Sequence, residues 1–498
     1  MLGIIILTSL ILILFLFNNF YWKQRNLPKG PTPFPFIGNM LDIVKNPPGY
    51  DAFIKWKKEY GGIYTYWFGS QHVIAICDYD LMVSTFVKDG DNFSGRNTFP
   101  LMNEDVRGGE NYGLLVSDGW EWREQRRFTL HVFRNFGMGK NLMEERILNE
   151  IVFLFSEIEM SKNMDNIFLM RNIDFCVASI INNLLFGYRF NGGSENEEYI
   201  RLKSLMDKHT KLMSSAIVAT LLSGPRFLKY LPIFKNAYNK IIQNKDEMFS
   251  FIEKQIENNK NNVDNYGEPT NYVESYLKEL KNKESENSSF SMNQLKNVIM
   301  DLRTAGTDTT SNTISWGIAY ILHNPDVQKK VHEEFDSVIN SDRLITIKDK
   351  DKLKYTCAVV NETQRMANLI PQNVLHRTYN DTYVNGIFIP GGSCVIPQIS
   401  TLLYDENIFP KPYKFDPDRW FDENGNLKKI EQFIPFSLGK RQCLGESLAK
   451  MELFLIMANI LNRYKIDVPK SETLPSLHKQ MSFTVCPKPY NVSLKLRF

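Results

Sequence analysis

The sequence predicts a mainly α-helical protein with a minor β region, set behind an N-terminal helix long enough to cross a membrane. From about residue 120 to 330 the apolar residues recur at helical spacing. Period-two alternation is confined to short runs near residues 60–77 and after about 370. Residues 2–17, LGIIILTSLILILFLF, carry no charge, and the uncharged stretch continues through Phe20, Tyr21 and Trp22 to Lys23 and Arg25. That is about the twenty residues a membrane span needs.

Composition narrows the function. A chain of 498 residues with 43% hydrophobic and 23% charged residues buries a large core, which excludes disorder for its bulk. A net charge of +3 without a long Lys/Arg cluster argues against nucleic acid as a partner. The six cysteines (77, 176, 357, 394, 443 and 486) are scattered with no CxxC pair, so neither a disulfide framework nor a zinc site is supported and a reducing compartment fits better. Asn-x-Ser/Thr triplets such as Asn361-Glu362-Thr363 would go unused if the body faced the cytosol.

Taken in order, residues 1–22 read as a retained anchor. A cleaved signal peptide competes, but the usual basic leader and small-residue cleavage site are missing. Aromatic residues at the exit and cations just beyond place that end on the cytosolic side. Residues 23–38 form a lead in which Pro28, Pro31, Pro33 and Pro35 fix φ and favour a stiff extended chain. Residues 39–498 form one body with no dividing linker and no internal repeat. Within it GGIYTYWFGSQHVIAIC reads as a hairpin turning at Gly69. The helical stretch is interrupted at IENNKNNVDNYGEPT and KNKESENSSFS, read as loops or a weakly helical excursion. Short β-like pieces, YVNGIFIP and SCVIPQIS, precede the irregular run KPYKFDPDRW.

The body is organised around FSLGKRQCLG, Phe436 to Gly445, where one cysteine stands between two glycines and beside two cations. Free cysteines are usually small buried hydrophobes. Cys443, however, lies just before ESLAKMELFLIMANILNRY, a run apolar enough for a buried helix, and a helix N-terminus favours a thiolate over a thiol. A second constellation, AGTDTT, Ala305 to Thr310, sets poor helix-interior residues in the middle of a helix-like run. Such conflicts mark functional or strained sites, against the plainer reading of a polar face with an incidental glycine. Gly306 would leave room for a ligand, and Thr hydroxyls that stop bonding the preceding turn would widen the groove. Glu362 and Arg365 share one helical face; alone they read as a surface pair of little worth. With Arg419 from FDPDRW they would form a buried network holding the loop to the cysteine. Trp122 and Arg126 share another face, followed by Arg127, and a solvated basic face is the plainer reading there.

Phe436, Gly439, Arg441, Cys443 and Gly445 match every fixed position of F-x-x-G-x-R-x-C-x-G, and in them the chain resembles the cytochrome P450 family. AGTDTT, Glu362-x-x-Arg365, FDPDRW and Trp122-x-x-x-Arg126 fall in the family's order, so the resemblance spans essentially the whole chain. It implies the cytochrome P450 fold, with residues 39–498 as a haem-thiolate catalytic domain. Cys443 resembles the axial thiolate ligand of the iron of haem b, with Phe436, Gly439 and Gly445 shaping its surroundings. Arg441, Trp122, Arg126 and His376 resemble the partners of the haem propionates. Thr309 and Asp308 resemble the hydroxyl and acid that relay protons during dioxygen activation, and Glu362, Arg365 and Arg419 the family's structural triad.

The implied reaction is oxidation of a lipophilic small molecule of xenobiotic, fatty acid or steroid type, with dioxygen as co-substrate and electrons from NADPH through a flavoprotein reductase. The microsomal, animal-type branch, which the chain resembles, implies the endoplasmic reticulum membrane, a single N-terminal anchor and a domain facing the cytosol. By the same analogy the pocket is lined from residues 97–116, 297–305, Leu369 to Leu375 and the turn at Ser482 and Phe483, and a basic face including Arg127, Arg134 and Lys440 docks an acidic partner. Lys29 and Gly391-Gly392 depart from the family pattern away from the haem motifs. Two alternatives stay open: a haem-thiolate isomerase or dehydratase of oxygenated lipids, and a non-catalytic haem carrier or sensor. Asp308 and Thr309 argue against the first, since such enzymes can dispense with a proton relay.

Overall fold

A computed structural model describes residues 1–96, 99, 101–109, 111–137, 141–161, 163–260, 268–283, 288–480 and 483–498. The chain begins with α1 (Leu2–Phe20), whose uncharged sequence has almost nothing to pack against. The segment Gly3–Gln24 has a mean hydropathy of 2.3 and is 6% buried, as suits a helix solvated by hydrocarbon. The proline lead folds back on its end: Asn19 Nδ2 donates to the Pro33 carbonyl at 3.1 Å, and Phe15 stacks on Phe36.

Two helices, α2 (Met40–Lys45) and α3 (Tyr50–Tyr60), lead into the expected hairpin of β1 (Ile63–Phe68) and β2 (Gln71–Ile76). Pairing runs from Ile63↔Ile76 to Phe68↔Gln71, and Gly69 supplies the left-handed turn residue at φ +61°. After α4 (Tyr79–Met82) comes β3 (Gly95–Arg96); from the other end of the chain come β4 (His376–Arg377) and β7 (Cys394–Pro397). These complete a five-stranded sheet of order β1-β2-β7-β4-β3, with β7 parallel to β2. Between β4 and β7, β5 (Thr382–Val384) and β6 (Ile387–Ile389) turn at Asn385-Gly386, both with positive φ. The last pair, β8 (Tyr464–Asp467) and β9 (Ser493–Leu496), closes the C-terminus.

The remaining mass is helical: α5 (Gly119–Asn135), α6 (Asn141–Glu159), α7 (Leu169–Phe186), α8 (Glu197–Met213), α9 (Ala216–Ser223), α10 (Pro232–Lys260) and α11 (Tyr272–Asn282) precede α12 (Met292–His323). Beyond it lie α13 (Pro325–Val338), α14 (Lys354–Ala367), α15 (Ser400–Leu403) and α16 (Glu446–Arg463). The polar segments expected as loops are partly helical, since α10 runs to Lys260 and α11 covers Lys281 and Asn282; residues 261–267 and 284–287 lie outside the described residues.

α12 is the axis of the body, 32 residues long and packed between α7, α14 and α16. The Gln294 N–H donates to the Ser291 hydroxyl, capping its start. The expected widening at Ala305–Thr310 does not occur. Thr309 Oγ1 donates to the Ala305 carbonyl at 2.7 Å and Thr313 Oγ1 to the Thr309 carbonyl at 2.8 Å, because the carbonyl four residues back is the nearest acceptor. Gly306 serves helix packing as well as the cavity it lines: a Cβ there would lie 2.7 Å from Ile181 Cδ1 of α7.

Candidate active site

Between α12 and the segment leading into α16 lies a cavity of about 320 Å³, which Cys443 and Thr309 both line. The turn that presents Cys443 requires glycine at 439, where φ is +76° and a Cβ would collide with the Phe86 carbonyl. The Cys443 N–H donates to the Phe436 carbonyl at 3.0 Å, and the Gly445 N–H faces the sulfur. Cys443 keeps accessible surface and lines the cavity. Burial pushes the thiol up, the Gly445 N–H and Arg126 opposing and Glu446 adding to it. The expected thiolate is therefore not what the protein alone favours, since desolvation outweighs the helix N-terminus; a metal cation at sulfur reverses that balance.

Cations gather at one end of the cavity. Arg441 lies over the Trp122 ring at 3.4 Å, donating from Nε to the Ser94 carbonyl and from Nη2 to the Ser117 carbonyl, while its buried Nη1 has no partner. Arg126 Nη2 donates to the Gln442 carbonyl at 2.6 Å. Arg96 donates to the carbonyls of Leu115 and Leu375. His376 Nδ1 donates to the Phe93 carbonyl at 2.8 Å; burial and Arg96 hold its imidazole well below the usual value, leaving Nε2 an acceptor in the neutral ring. Burial and the nearby Arg126 push Arg96 down to about 9, and burial and the nearby Arg96 push Arg441 down to about 8.

Such a cluster calls for an anionic ligand. Cys443 is a lone thiol, with no group of three or more ligating side chains among the described residues, so a metal held here brings its own ligands. Nothing lies within 4 Å of a Cβ built on Gly445, which opens to the cavity beside the sulfur. One soft donor, an open cradle and buried cations fit an iron porphyrin with two carboxylates.

Asp308 does not line the cavity with Thr309. It is 8% exposed and turned toward Lys203, whose Nζ lies 3.5 Å from it, 2.9 Å from Asp174 and 3.0 Å from Asp207. Burial pushes the Asp308 carboxyl up and Lys203 opposes it. Two other carboxyl residues do line the cavity, Asp301 of α12 and Glu452 of α16; Glu452 is 1% exposed, with Oε1 unpartnered and the Thr310 hydroxyl as neighbour. Burial pushes Glu452 up to about 8, so it holds its proton at neutral pH.

The expected triad is assembled, with Glu362 and Arg365 wholly buried and Arg419 partly so. Glu362, 0% exposed, accepts from Arg365 Nε and Nη2 at 2.9 and 2.8 Å and from Arg419 Nε at 3.1 Å; Trp420 Nε1 also donates to it. A surface pair is thereby excluded, as is a wholly solvated face for Trp122 and Arg126. Arg127, Arg134 and Lys440 are exposed, and Lys440 pairs with Asp91. Of the pocket regions, Leu114, Leu302, Ala305 and the Leu369–Val374 stretch supply lining residues. Residues 97, 98, 100, 110 and Ser482 lie outside the described residues, and Phe483 is half exposed and off the cavity.

Sequence reasoning missed Arg96, Glu452, Trp420 and the buried pair of Arg107 and Asp301, 2.7 Å apart. Asp301 also accepts from the Leu114 and Leu115 N–H groups, pinning that loop to α12. Arg96 pairs across β3 and β4 with His376, a register that only the folded sheet reveals.

A family model described as Cytochrome P450 matches residues 28–494. Cytochrome P450 2C23 of Rattus norvegicus is 36% identical over 448 residues, 89% of this chain and 88% of the relative. Cytochrome P450 2C44 of Mus musculus is 35% identical over 475 residues (94% and 93%), and Cytochrome P450 2G1 of Rattus norvegicus 33% over 489 (96% and 95%).

Proposed function

Proceeding from a chain that belongs to the cytochrome P450 family, we propose that this monooxygenase oxidises a lipophilic small molecule, taking its electrons from NADPH through a membrane-bound flavoprotein reductase. Cys443 would hold the iron through Sγ, in the turn set by Phe436 and Gly439, with Gly445 leaving the space beside the sulfur open. Arg441, Arg126, Trp122 and Arg96 would hold the two propionates, which supply the charge that the cation cluster lacks, and His376 would donate to them only as the imidazolium that their negative charge favours. When bound, the haem supplies dioxygen activation and oxygen transfer.

Thr309 lines the cavity, and its hydroxyl, which donates to the Ala305 carbonyl, can accept there and would pass a proton on by giving up that bond. Asp308 stands behind it with Lys203, whose partner Asp207 is well exposed, and this group resupplies protons from the solvent side. Glu362, Arg365 and Arg419 keep the fold and retain the cofactor. Apolar walls from Leu114, Leu302, Leu369 and Ile370 exclude water and suit a xenobiotic, fatty acid or steroid. α1 anchors the chain in the endoplasmic reticulum membrane with the body on the cytosolic side, where six unpaired cysteines are at home. The exposed cations Arg127, Arg134 and Lys440 offer the reductase a docking face.

The observation that carries this reading is a lone cysteine facing a cavity rimmed by buried, under-compensated guanidiniums. The reduced, haem-loaded protein is expected to give the thiolate-type spectrum with CO, and Cys443→Ala to lose it; retention of that spectrum would overturn the ligand assignment. Turnover that persists without NADPH or dioxygen would instead favour an isomerase or dehydratase.

A further inference from the structure

α14 ends at Ala367, and the chain runs at once into Asn368–Val374, which supplies one wall of the cavity. A helix C-terminus leaves carbonyls without intrahelical partners. Here side chains from three distant parts of the chain satisfy them. The Tyr50 hydroxyl donates to the Asn368 carbonyl, and the Tyr404 hydroxyl to the Met366 carbonyl at 2.8 Å. Lys479 Nζ donates to the Met366 carbonyl, to the Ala367 carbonyl at 2.7 Å and to the Tyr404 hydroxyl at 3.0 Å, which uses all three of its protons.

The same ammonium sits among aromatic rings, 5.1 Å from the centroid of Tyr50, 5.6 Å from Trp316 and 5.7 Å from Tyr404. Burial and the nearby Arg365 disfavour its charge, while the helix-end carbonyls and ring faces favour it. No helix or strand is found between Asp467 and Ser493 among the described residues, so the lysine's own segment has no ladder to fix it. Two bonds extend the junction: the Val485 N–H donates to the Leu369 carbonyl at 2.8 Å, and Trp316 Nε1 donates to the Val485 carbonyl at 2.9 Å.

We propose that Lys479 is a positioning residue for the substrate cavity: by gathering Met366, Ala367 and Tyr404 around one ammonium, it fixes the direction in which Leu369–Val374 leaves α14 and so the shape of the wall. The inference rests on the haem-thiolate reading above, because that wall matters through what it lets approach the iron. Lys479 touches no reacting atom; it acts through the segment it holds.

Lys479→Met keeps the length of the side chain and removes the donors and the charge. In the haem-loaded full chain, the affinities for imidazole and for phenylimidazole are read from the shift of the haem absorption band. Imidazole needs little more than the iron, whereas the phenyl arm must also clear the wall. The ratio of the two dissociation constants is expected to change by about threefold or more in Lys479→Met, with imidazole affinity and the thiolate-type CO spectrum preserved. Tyr404→Phe, which removes one hydroxyl and keeps the ring, is expected to shift the ratio the same way by a smaller factor. A ratio unchanged in both variants overturns the proposal, even if both lower thermal stability, and if Lys479→Met yields no haem-loaded protein the Tyr404→Phe ratio decides. Native protein without the thiolate-type CO spectrum would overturn the haem-thiolate reading instead.

Discussion

Glu452 keeps its proton to a pH of about 8 in the folded protein, against a usual value of 4.5. Between those values the unfolded chain binds fewer protons than the folded one, so stability falls as pH rises, by up to ~1.4 kcal/mol per pH unit. Below the unfolded value the group contributes nothing, and above the folded value the deficit is constant. Glu452→Gln is therefore expected to make the fall of Tm between about pH 5 and about pH 8 shallower; thermal unfolding of the haem-loaded protein across that range checks it, and parallel curves would refute it. Single residues also show what sequence can reveal. Cys443 was legible because its glycines and cations stand within ten residues of it. Glu452 was not, because a carboxylate in a helical run looks the same facing water or the interior. Arg96 carried no signal until β3 met β4.

At the scale of elements, α12 and α7 meet where Gly306 faces Ile181. Gly306→Ala brings a methyl group against the Ile181 side chain, and the overpacking is expected to cost ~1–3 kcal/mol, less what alanine regains in helix propensity. Ile181→Ala should relieve that clash, so a double-mutant cycle in urea is expected to show coupling, and additive effects would deny the contact. The propensity conflict at Ala305–Thr310 did point to the right turn of helix. Only half of its cause was legible, because the packing of Gly306 against Ile181 is decided by the partner helix. The i, i+3 spacing of Glu362 and Arg365 was likewise visible, but their complete burial came from α14 sinking into the core. The first hairpin was the easiest element to read, since Gly69 states its turn geometry locally, whereas YVNGIFIP was read only as a β-like piece although Asn385-Gly386 turns a second hairpin there.

At the scale of the molecule, α1 stands outside the core and touches the lead through Asn19 and Phe15. A chain starting at Lys23 is expected to bind as much haem per chain as the full protein but to sediment less with membranes; equal sedimentation would refute a dominant anchor. Some affinity should remain through exposed apolar residues such as Phe227, Tyr230 and Ile233. Fold class and motif order were legible from end to end, whereas the sheet that joins residue 63 to residue 397 was not. That long-range closure also bears on biosynthesis. Ser94 and Arg441, 347 positions apart, meet in one hydrogen bond of the cation cluster. A ribosome has made nearly the whole body before that bond can form, so the cation cluster closes only late in synthesis.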